Sequence, residues 1–368
     1  MKTLQLNGAL LSAADFEYSS SARDQALADL APMEQTAVIA FLREWFNPAS
    51  EHISAQTSGS TGPPKTILLH KSQLLASAAI TAEYFNFEAG QRALLPLSAR
   101  FIAGKMMLVR AMYAGLHLDL LPAHFQLPVK QGQPPYYAFA VMVPAQLIRV
   151  IEQDQLASFA QILLGGADLP AVLRGQLRGV NTPVYQGFGM TETVSHIALR
   201  QVNGPHPQKA YTALAGIEIG QDNRQCLRIR GAATAYAWVD SNDVVELRDD
   251  RQFLWRGRYD NILNSGGIKV LLEEVEAALS ILLATEAELA WLKDRDFAVG
   301  RMPDPRFGES VVLWVTGEGP SEHNRVNSLR FMKEKLPLAW APKTILSITQ
   351  LPLLDGGKLN RQALTASL

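Results

Sequence analysis

Residues 57–66 read TSGSTGPPKT, a stretch that combines glycine and proline with five hydroxyl side chains and one lysine, Lys65. A glycine-rich turn presents backbone N–H groups, hydroxyls add hydrogen-bond donors and a lysine adds a positive charge, so this composition suits a polyphosphate. A surface loop rich in Ser, Thr, Gly and Pro explains the same residues. The P-loop motif places a glycine directly before its lysine, whereas Gly62 lies three residues before Lys65. A phosphate bound here therefore requires another fold.

Around this stretch, short apolar runs alternate with helical patterns. Helical spacing of apolar residues predicts helices over residues 34–46, 74–85, 103–114, 144–153 and 169–178. Apolar runs predict strands at RALLPL (92–97), HLDLL (117–121), YYAFAVM (136–142) and QILLGG (161–166). Alternation of strands and helices is typical of a mostly parallel sheet covered by helices. We therefore predict a large α/β domain.

The pattern changes in the second half of the chain. From about Leu214 to Arg256, short alternating strands without helices predict an antiparallel part of the large domain. A further block of helices and strands follows, with helices at 271–283 and 327–336 and strands at 297–302 and 311–315. Glycine and asparagine cluster between these parts, in GRYDNILNSGG. We place the boundary there, with a large domain at 1–259 and a small α+β domain at 260–368.

Composition limits the classes of partner. The chain has 368 residues, 48% of them hydrophobic and 19% charged, which is ordinary for a globular protein and too apolar for a disordered one. With 34 basic and 35 acidic residues the net charge is -1, so the chain lacks the positive charge that nucleic acids and anionic membranes attract. We expect small-molecule partners. Whether the chain forms a homodimer stays open.

The single cysteine and the length of the apolar runs indicate where in the cell the protein is located. Cys226 lies in QCLRIRG, where Leu227 and Ile229 alternate with arginines as in a half-buried strand. This pattern predicts a core thiol rather than a nucleophile. No run reaches the roughly 18 apolar residues of a membrane span, and GALLSAA near the N-terminus is short. These features predict a cytoplasmic protein.

Several loops carry side chains suited to a nucleotide, because active groups of such sheets lie in loops after the strands. Gly165, Gly166 and Ala167 follow a strand and expose backbone against which a flat ring can lie. In GFGMTET, Phe188 can stack on a base, and Glu192 can hold Mg²⁺ together with substrate phosphates. Alone, Glu192 is more typical of an acid at a helix N-terminus. Likewise, Asp243 in VDSNDVVEL can accept hydrogen bonds from ribose hydroxyls or belong to an Asn-Asp turn.

Six motifs occur in the order seen in the adenylate-forming superfamily of acyl- and aryl-CoA ligases, luciferases and carrier-protein adenylation domains. They are TSGSTGPPK, GGADL, GFGMTET, SND, GRYDNILNSGGIKV and LPLLDGGKLNR, between residues 55 and 365. The chain resembles this superfamily, which implies its fold: a large domain followed by a small, mobile one. Most relatives carry a longer segment before the first motif, so the resemblance also implies an N-terminally shortened large domain.

The resemblance implies a role for each matching residue. It implies that the first motif closes over the β- and γ-phosphates of ATP, with Thr57, Ser58, Gly59, Ser60, Thr61, Gly62 and Lys65. Adenine would contact Gly165, Gly166, Ala167, Phe188, Gly189 and Met190. The α-phosphate would contact Thr191, and Glu192 would bind Mg²⁺. Ribose would be held by Asp243 and Arg258. Asp260 is expected to be the hinge of the small domain, and Lys358 the lysine that enters the adenylation site, although a lysine near a C-terminus is more often solvated.

Within the superfamily, the compact length and GMTETVSHIALR most resemble the o-succinylbenzoate–CoA ligases of menaquinone biosynthesis. The implied substrates are ATP with Mg²⁺, this dicarboxylic acid and CoA. The second carboxylate of the acid needs a basic or hydroxyl anchor, for which Arg100, Lys105, Ser195 and His196 are candidates. Arg100 and Lys105 also suit a solvated helix start, and His196 a structural hydrogen bond. The alternatives are another acyl- or aryl-CoA ligase, an adenylation domain that loads a carrier protein, and a nucleotide sensor without catalysis.

Overall fold

The structure, a computed structural model, describes residues 3–57, 65–127, 136–166, 169, 171–293, 295–354 and 359–367. The chain divides into two compact units. The first unit comprises Met1–Gly220, Arg228–Asp240 and Arg248–Phe253, and the second comprises Gln221–Leu227, Ser241–Leu247 and Leu254–Leu368. The domain boundary between residues 259 and 260 stays a prediction.

Helices and strands alternate along most of the chain. The helices are α1 (Ala13–Glu17), α2 (Ser21–Ala26), α3 (Pro32–Phe46), α4 (Lys71–Tyr84), α5 (Ile102–Ala114), α6 (Pro144–Glu152), α7 (Ala171–Gln176), α8 (Leu272–Thr285), α9 (Glu322–Lys335) and α10 (Arg361–Ala366). The strands are β1 (Thr3–Leu6), β2 (Ala9–Ser12), β3 (His52–Gln56), β4 (Thr66–His70), β5 (Arg92–Leu95), β6 (His117–Leu120), β7 (Phe139–Met142), β8 (Ile162–Leu164), β9 (Val184–Gly189), β10 (His196–Gln201), β11 (Tyr211–Ala213), β12 (Glu218–Gln221), β13 (Cys226–Arg230), β14 (Val239–Leu247), β15 (Gln252–Arg258), β16 (Ile262–Ser265), β17 (Ile268–Leu271), β18 (Phe297–Asp304), β19 (Gly308–Thr316) and β20 (Thr344–Ile348).

The sheet of the first unit is mostly parallel at its centre. Its strands run in the order β2-β1-β6-β5-β7-β8-β9-β10-β11. Strands β1, β6, β5, β7, β8 and β9 pair in parallel, whereas β10 and β11 are antiparallel to their neighbours. The predicted α/β architecture is confirmed. Leu164 of β8 lies opposite Gln186 of β9, so the loops that follow these two strands leave the same edge of the sheet.

The sequence explains why these elements form. Pro32 begins α3, where a missing N–H does no harm, and Phe41 and Leu42 belong to the buried stripe that the helical spacing predicts. All residues of β7 and β8 are buried, as expected for strands covered on both faces. The core around them is apolar and includes Leu94, Tyr137, Ala140, Leu147, Val150, Phe159, Leu164, Leu173 and Val184.

The antiparallel part follows the alternation in its sequence. Cys226 and Ile229 of β13 are buried, and Arg228 between them is partly exposed. The prediction of a buried thiol in a strand is therefore confirmed. Strands β13, β14 and β15 each contribute residues to both units, and a short 3₁₀ turn at Ala232–Thr234 follows β13.

The second unit contains a smaller sheet in the order β17-β16-β19-β18, with β20 parallel to β19. Helices α8 and α9 contribute to its core, which includes Leu263, Val275, Leu279, Leu289, Val299, Val311, Leu313, Met332 and Ile345. The helices and strands predicted for this block are confirmed. Within the described ranges, no helix is both long and apolar enough to cross a membrane.

Candidate active site

The hydroxyl-rich stretch connects β3 and β4, which pair as an antiparallel hairpin. Its two ends are held together, because Thr57 N donates to Lys65 O at 2.9 Å and Lys65 N donates to Thr57 Oγ1 at 3.1 Å. The Lys65 side chain is exposed. The predicted phosphate contacts Ser58, Gly59, Ser60, Thr61 and Gly62 lie outside the described residues. The hairpin fixes where this stretch begins and ends.

The loop after β8 begins with the predicted glycines. Gly165 N donates to Met142 O at 3.0 Å, which keeps the loop in line with the neighbouring strand. Gly166 has φ +87°, a left-handed conformation that only glycine adopts without strain. An added Cβ at Gly165 would have no heavy atom of the described residues within 4 Å, so they leave the backbone here open to a ligand. Ala167 lies outside the described residues.

The end of β9 brings Phe188 and Gly189 to the same edge. The Phe188 ring packs against Tyr211 and Phe253, with centroids 5.5 and 5.1 Å apart. At Gly189, a Cβ would lie 2.2 Å from Ser195 O, so no other residue fits without a shift of the backbone. Two aromatic rings therefore hold Phe188, and the glycine lets β10 approach the strand that carries it.

A tight turn at Thr191–Thr193 follows Met190. Thr193, which the sequence patterns do not single out, is fully buried, and its Oγ1 accepts from Met190 N at 3.0 Å and lies 2.9 Å from Ser195 O. Val194 has φ +66°, which is strained for a β-branched residue. Thr193 and Val194 thus shape a turn that holds Thr191 buried and leaves Glu192 partly exposed.

Glu192 is suited to a metal that phosphates also bind. Its carboxylate makes no hydrogen bond or ion pair with any residue that the structure describes. In the same part of the chain, no group of three or more His, Cys, Asp or Glu side chains is arranged to hold a metal ion. Mg²⁺ is usually held by one or two carboxylates together with substrate phosphates and water. One available carboxylate on this turn therefore fits Mg²⁺ that arrives with a nucleotide.

Arg110 of α5 is a candidate site residue that the sequence patterns do not single out. It is 1% exposed, its Nη2 donates to Ser195 Oγ at 2.5 Å, and its Nε has no hydrogen-bond partner among the described residues. Burial lowers the pKa of the guanidinium to about 9, and no described carboxylate pairs with it. Buried charges are normally paired. Arg110 therefore has unused capacity to bind an anion.

His196 begins β10 beside Arg110. Arg110 Nη2 lies 3.4 Å from His196 Nδ1, and Thr81 Oγ1 lies 3.3 Å from His196 Nε2 and donates to Ser77 O at 2.9 Å. A guanidinium only donates, so Nδ1 accepts and Nε2 carries the ring proton. Burial and then the Arg110 charge lower the pKa of His196 well below its ordinary value. The imidazole is therefore neutral and supports Arg110 through a hydrogen bond.

Arg100 and Lys105, the other candidate anchors, make contacts of their own within the first unit. Lys105 Nζ donates to Ser54 O at 2.7 Å and lies 5.7 Å from the centre of the Phe41 ring. Arg100 is exposed, and its guanidinium lies 5.9 Å from the centre of the Phe101 ring. These contacts are sufficient to explain both residues structurally. Their role as anchors stays a prediction.

In the second unit, Arg258 connects the predicted ribose ligand with the predicted hinge. Its Nη1 lies 3.6 Å from Asp243 Oδ2 and its Nη2 lies 3.1 Å from Asp260 Oδ2. Asn242 Nδ2 also donates to Asp260, at 3.2 Å, and Trp255 Nε1 donates to Asp243 Oδ1 at 2.9 Å. The sequence motifs SND and GRYDN therefore form one polar cluster.

The predicted catalytic lysine, Lys358, lies outside the described residues. The residues on either side of it are held together, because Leu353 and Leu359 form an antiparallel bridge and Asn360 N donates to Pro352 O at 2.8 Å. Leu359 also packs against the apolar cluster that contains Trp314. The chain thus enters and leaves the segment that carries Lys358 at one place on the second unit.

Comparison with known proteins gives a consistent result. The AMP-binding enzyme family matches residues 45–220. A 2-succinylbenzoate–CoA ligase of Haemophilus influenzae is 26% identical over 361 residues, which cover 91% of this chain and 74% of the relative.

Comparison with solved structures also finds enzymes of this kind. An acyl-CoA synthetase (AMP-forming)/AMP-acid ligase II-like protein from Dyadobacter fermentans is 33% identical with a TM-score of 0.56, over 91% of this chain and 94% of that chain. O-succinylbenzoate coenzyme A synthetase of Bacillus subtilis, solved in complex with ATP and magnesium ion, is 21% identical with a TM-score of 0.69, over 84% of this chain and 69% of that chain. The second likeness concerns the fold alone.

Proposed function

Because this chain belongs to the AMP-binding enzyme family of adenylate-forming ligases, we propose that it activates 2-succinylbenzoate as an acyl-adenylate and transfers the acyl group to CoA. The predicted resemblance is confirmed, and the chain is an AMP-forming acid–thiol ligase. The acid, the use of free CoA and the residue roles are part of the proposal. So is a cytoplasmic location, which the single cysteine supports.

The observation that carries the choice of acid is the buried guanidinium of Arg110. It has no carboxylate partner in the described part of the chain, and it donates to the hydroxyl of Ser195, which is partly exposed. An acid with two carboxylates can react at one and place the other against Arg110 and Ser195. Such a charge-assisted hydrogen bond is stronger than a neutral one. We therefore propose the anchor at Arg110 and Ser195 rather than at Arg100 or Lys105.

The chemistry requires stabilisation of negative charge at the α-phosphate. A carboxylate oxygen of the acid attacks the α-phosphorus, pyrophosphate leaves, and the thiol then displaces AMP from the acyl-adenylate. Thr191, on the turn that Thr193 closes, is proposed to donate to the α-phosphate, and Lys358 to approach the same group. Mg²⁺, held by Glu192, would neutralise charge on the phosphates.

The sequence motifs also suggest which residues bind the adenine and the ribose of the nucleotide. Gly165, Gly166 and Phe188 are proposed to contact adenine, and Asp243 and Arg258 to bind ribose. The hairpin that carries Thr57 and Lys65 is proposed to hold the terminal phosphates, because its exposed lysine adds a positive charge beside a glycine-rich turn. These assignments rest on the motifs together with the open backbone at Gly165 and the available carboxylate of Glu192.

A panel of carboxylic acids tests this proposal. The purified chain is assayed for pyrophosphate release with Mg-ATP, with and without CoA, on 2-succinylbenzoate, benzoate and a fatty acid. We expect 2-succinylbenzoate to have the highest kcat/KM and CoA to accelerate turnover. Faster turnover of benzoate or the fatty acid would overturn the choice of acid. Preference for a carrier-protein thiol would overturn the acceptor, and nucleotide binding without acid-dependent pyrophosphate exchange would overturn catalysis.

A further inference from the structure

The strongest unused observation concerns Trp255 of β15. Its indole Nε1 donates to Asp243 Oδ1 at 2.9 Å, and the ring is partly buried. The other carboxylate oxygen of Asp243 lies 3.6 Å from Arg258 Nη1, which is longer than a direct hydrogen bond. Trp255 is therefore the nearer of these two donors to Asp243.

We propose that Trp255 is a positioning residue, which holds the carboxylate of Asp243 in the orientation that binds the ribose hydroxyls of the nucleotide. The inference rests on the proposed function only in taking Asp243 as the ribose ligand. Within that function, it adds a specific requirement for an N–H donor at position 255.

Two donors, Trp255 and Arg258, compete for the carboxylate of Asp243. Arg258 Nη2 already pairs with Asp260 at 3.1 Å, so its guanidinium lies between two carboxylates. Without a second donor, the Asp243 carboxylate is free to turn and pair with Arg258 through both oxygens, a geometry that Arg favours. That rotation would use the acceptor positions that ribose hydroxyls need. The bond from Trp255 fixes one oxygen and leaves the remaining acceptor positions of the carboxylate available.

The indole N–H suits this role because it donates and cannot accept. It makes one hydrogen bond to the carboxylate and offers no acceptor to the ribose hydroxyls, so the hydroxyls have to donate to Asp243. A phenylalanine at position 255 would retain one aromatic ring and remove the N–H donor together with the five-membered ring of the indole. The comparison of two nucleotides that differ only in their ribose hydroxyls therefore separates loss of the hydrogen bond from loss of ring volume.

The test compares two nucleotides in two variants. ATP and 2′,3′-dideoxy-ATP are titrated into wild type and Trp255→Phe by calorimetry, and KM and kcat are measured by acid-dependent pyrophosphate exchange. Loss of a hydrogen bond to a charged group predicts about tenfold weaker binding of ATP and about a tenfold higher KM, with kcat within about twofold. For 2′,3′-dideoxy-ATP, which has no ribose hydroxyls, the variant should bind within about threefold of wild type.

Trp291→Phe is the matched control. Trp291 is also partly buried in the second unit, and its Nε1 donates to Ser328 Oγ at 2.9 Å. Its substitution should change neither nucleotide affinity nor KM.

Three other results would contradict the role of Trp255, the proposed catalysis or both. Equal losses for both nucleotides in Trp255→Phe, or no loss for either, would overturn the positioning role. If wild type binds ATP but shows no exchange, the proposed catalysis fails, and the binding comparison still decides the role of Trp255. If wild type binds neither nucleotide, both proposals fail.

Discussion

Substitution of Arg110 by methionine should stabilise the protein and impair its activity. Methionine retains the length of the arginine stem and removes the charge. At neutral pH the buried guanidinium is protonated in the folded and unfolded chains, but burial lowers its folded pKa to about 9. A fall to this value from the ordinary pKa of arginine corresponds to about 5 kcal/mol of destabilisation by the charge.

The sign of this effect follows from proton binding. Because the folded pKa is the lower one, the unfolded chain binds more protons between about pH 9 and 12.5, and the full destabilisation is present below about pH 9. Methionine removes it but also removes the hydrogen bond to Ser195, which contributes about 1.5 to 3 kcal/mol. Apolar replacement of buried ion pairs is often neutral or stabilising by about 1 to 4 kcal/mol, and Arg110 lacks even a described carboxylate to offset its burial. We therefore expect a gain of this order at pH 7.5, in the absence of acid.

The assay combines urea unfolding with kinetics. The urea midpoint of Arg110→Met should exceed that of wild type, whereas kcat/KM for 2-succinylbenzoate should fall by about 100-fold or more, as expected when a carboxylate loses a buried cationic partner. With benzoate, which has no second carboxylate, wild type and variant should differ by less than about threefold. Saturating 2-succinylbenzoate should raise the midpoint of wild type only.

Arg200→Met is the matched control, since Arg200 is also buried but well bonded. Its Nη2 donates to Gln186 Oε1 at 2.7 Å and its Nη1 to Lys209 O at 3.0 Å. Removal takes a donor away from each of these acceptors, so this variant should be less stable than wild type. The reasoning about Arg110 is refuted if Arg110→Met also unfolds at lower urea, or if it loses equal activity towards both acids.

Three further predictions concern the motifs and the partly buried imidazole of His196. Lys358→Ala should lose most of the pyrophosphate exchange rate while ATP affinity, measured by calorimetry, stays nearly unchanged; near wild-type exchange would exclude the proposed role. Asp260→Pro, which fixes φ at the predicted hinge, should uncouple thioester formation from adenylation when both rates are measured separately; equal losses with a lower Tm would indicate misfolding instead. His196 has a folded pKa well below 6.5, so the unfolded chain takes up the proton and stability falls as pH drops below about 6.5. His196→Gln should reduce this dependence by about 1 kcal/mol between pH 6.5 and 5.5 in urea unfolding, and an unchanged slope would exclude His196 as its source.

The sequence was sufficient for the elements with strong periodicity. Helix α3 and strands β7 and β8 follow from apolar patterns that the structure buries. The hairpin β3–β4 was not predictable from these patterns, because each of its strands buries at most two of its five residues and depends on pairing with the other. The same limit applies to β1 and β2, which each bury at most two of their four residues. Short strands become stable only through contacts that are distant in the sequence.

Arg110 was not predicted as an anchor, because none of the six sequence motifs includes the middle of α5. Yet α5 has no continuous polar face, since Gly104 and all residues from Met106 to Met112 are buried. A helix that is apolar on all sides is a buried helix, so an arginine in its middle must be buried as well. Arg100 and Lys105 precede this segment. The apolar residues on either side of Arg110 in the sequence therefore predict that it is buried, although no motif contains it.

The departures from ordinary packing also concentrate where the motifs predict the chemistry. Arg110 is buried without a carboxylate partner among the described residues, and Val194 adopts a left-handed conformation that is strained for its type. Glu192, two residues before Val194, has a carboxylate that no described residue engages. Each feature lowers stability or leaves binding capacity unused, and well-bonded arginines such as Arg200 show that the fold can satisfy buried charge elsewhere. Because local rules are broken most readily at functional sites, the concentration of these three features on α5 and on the turn after β9 favours a ligand site there over a purely structural arrangement.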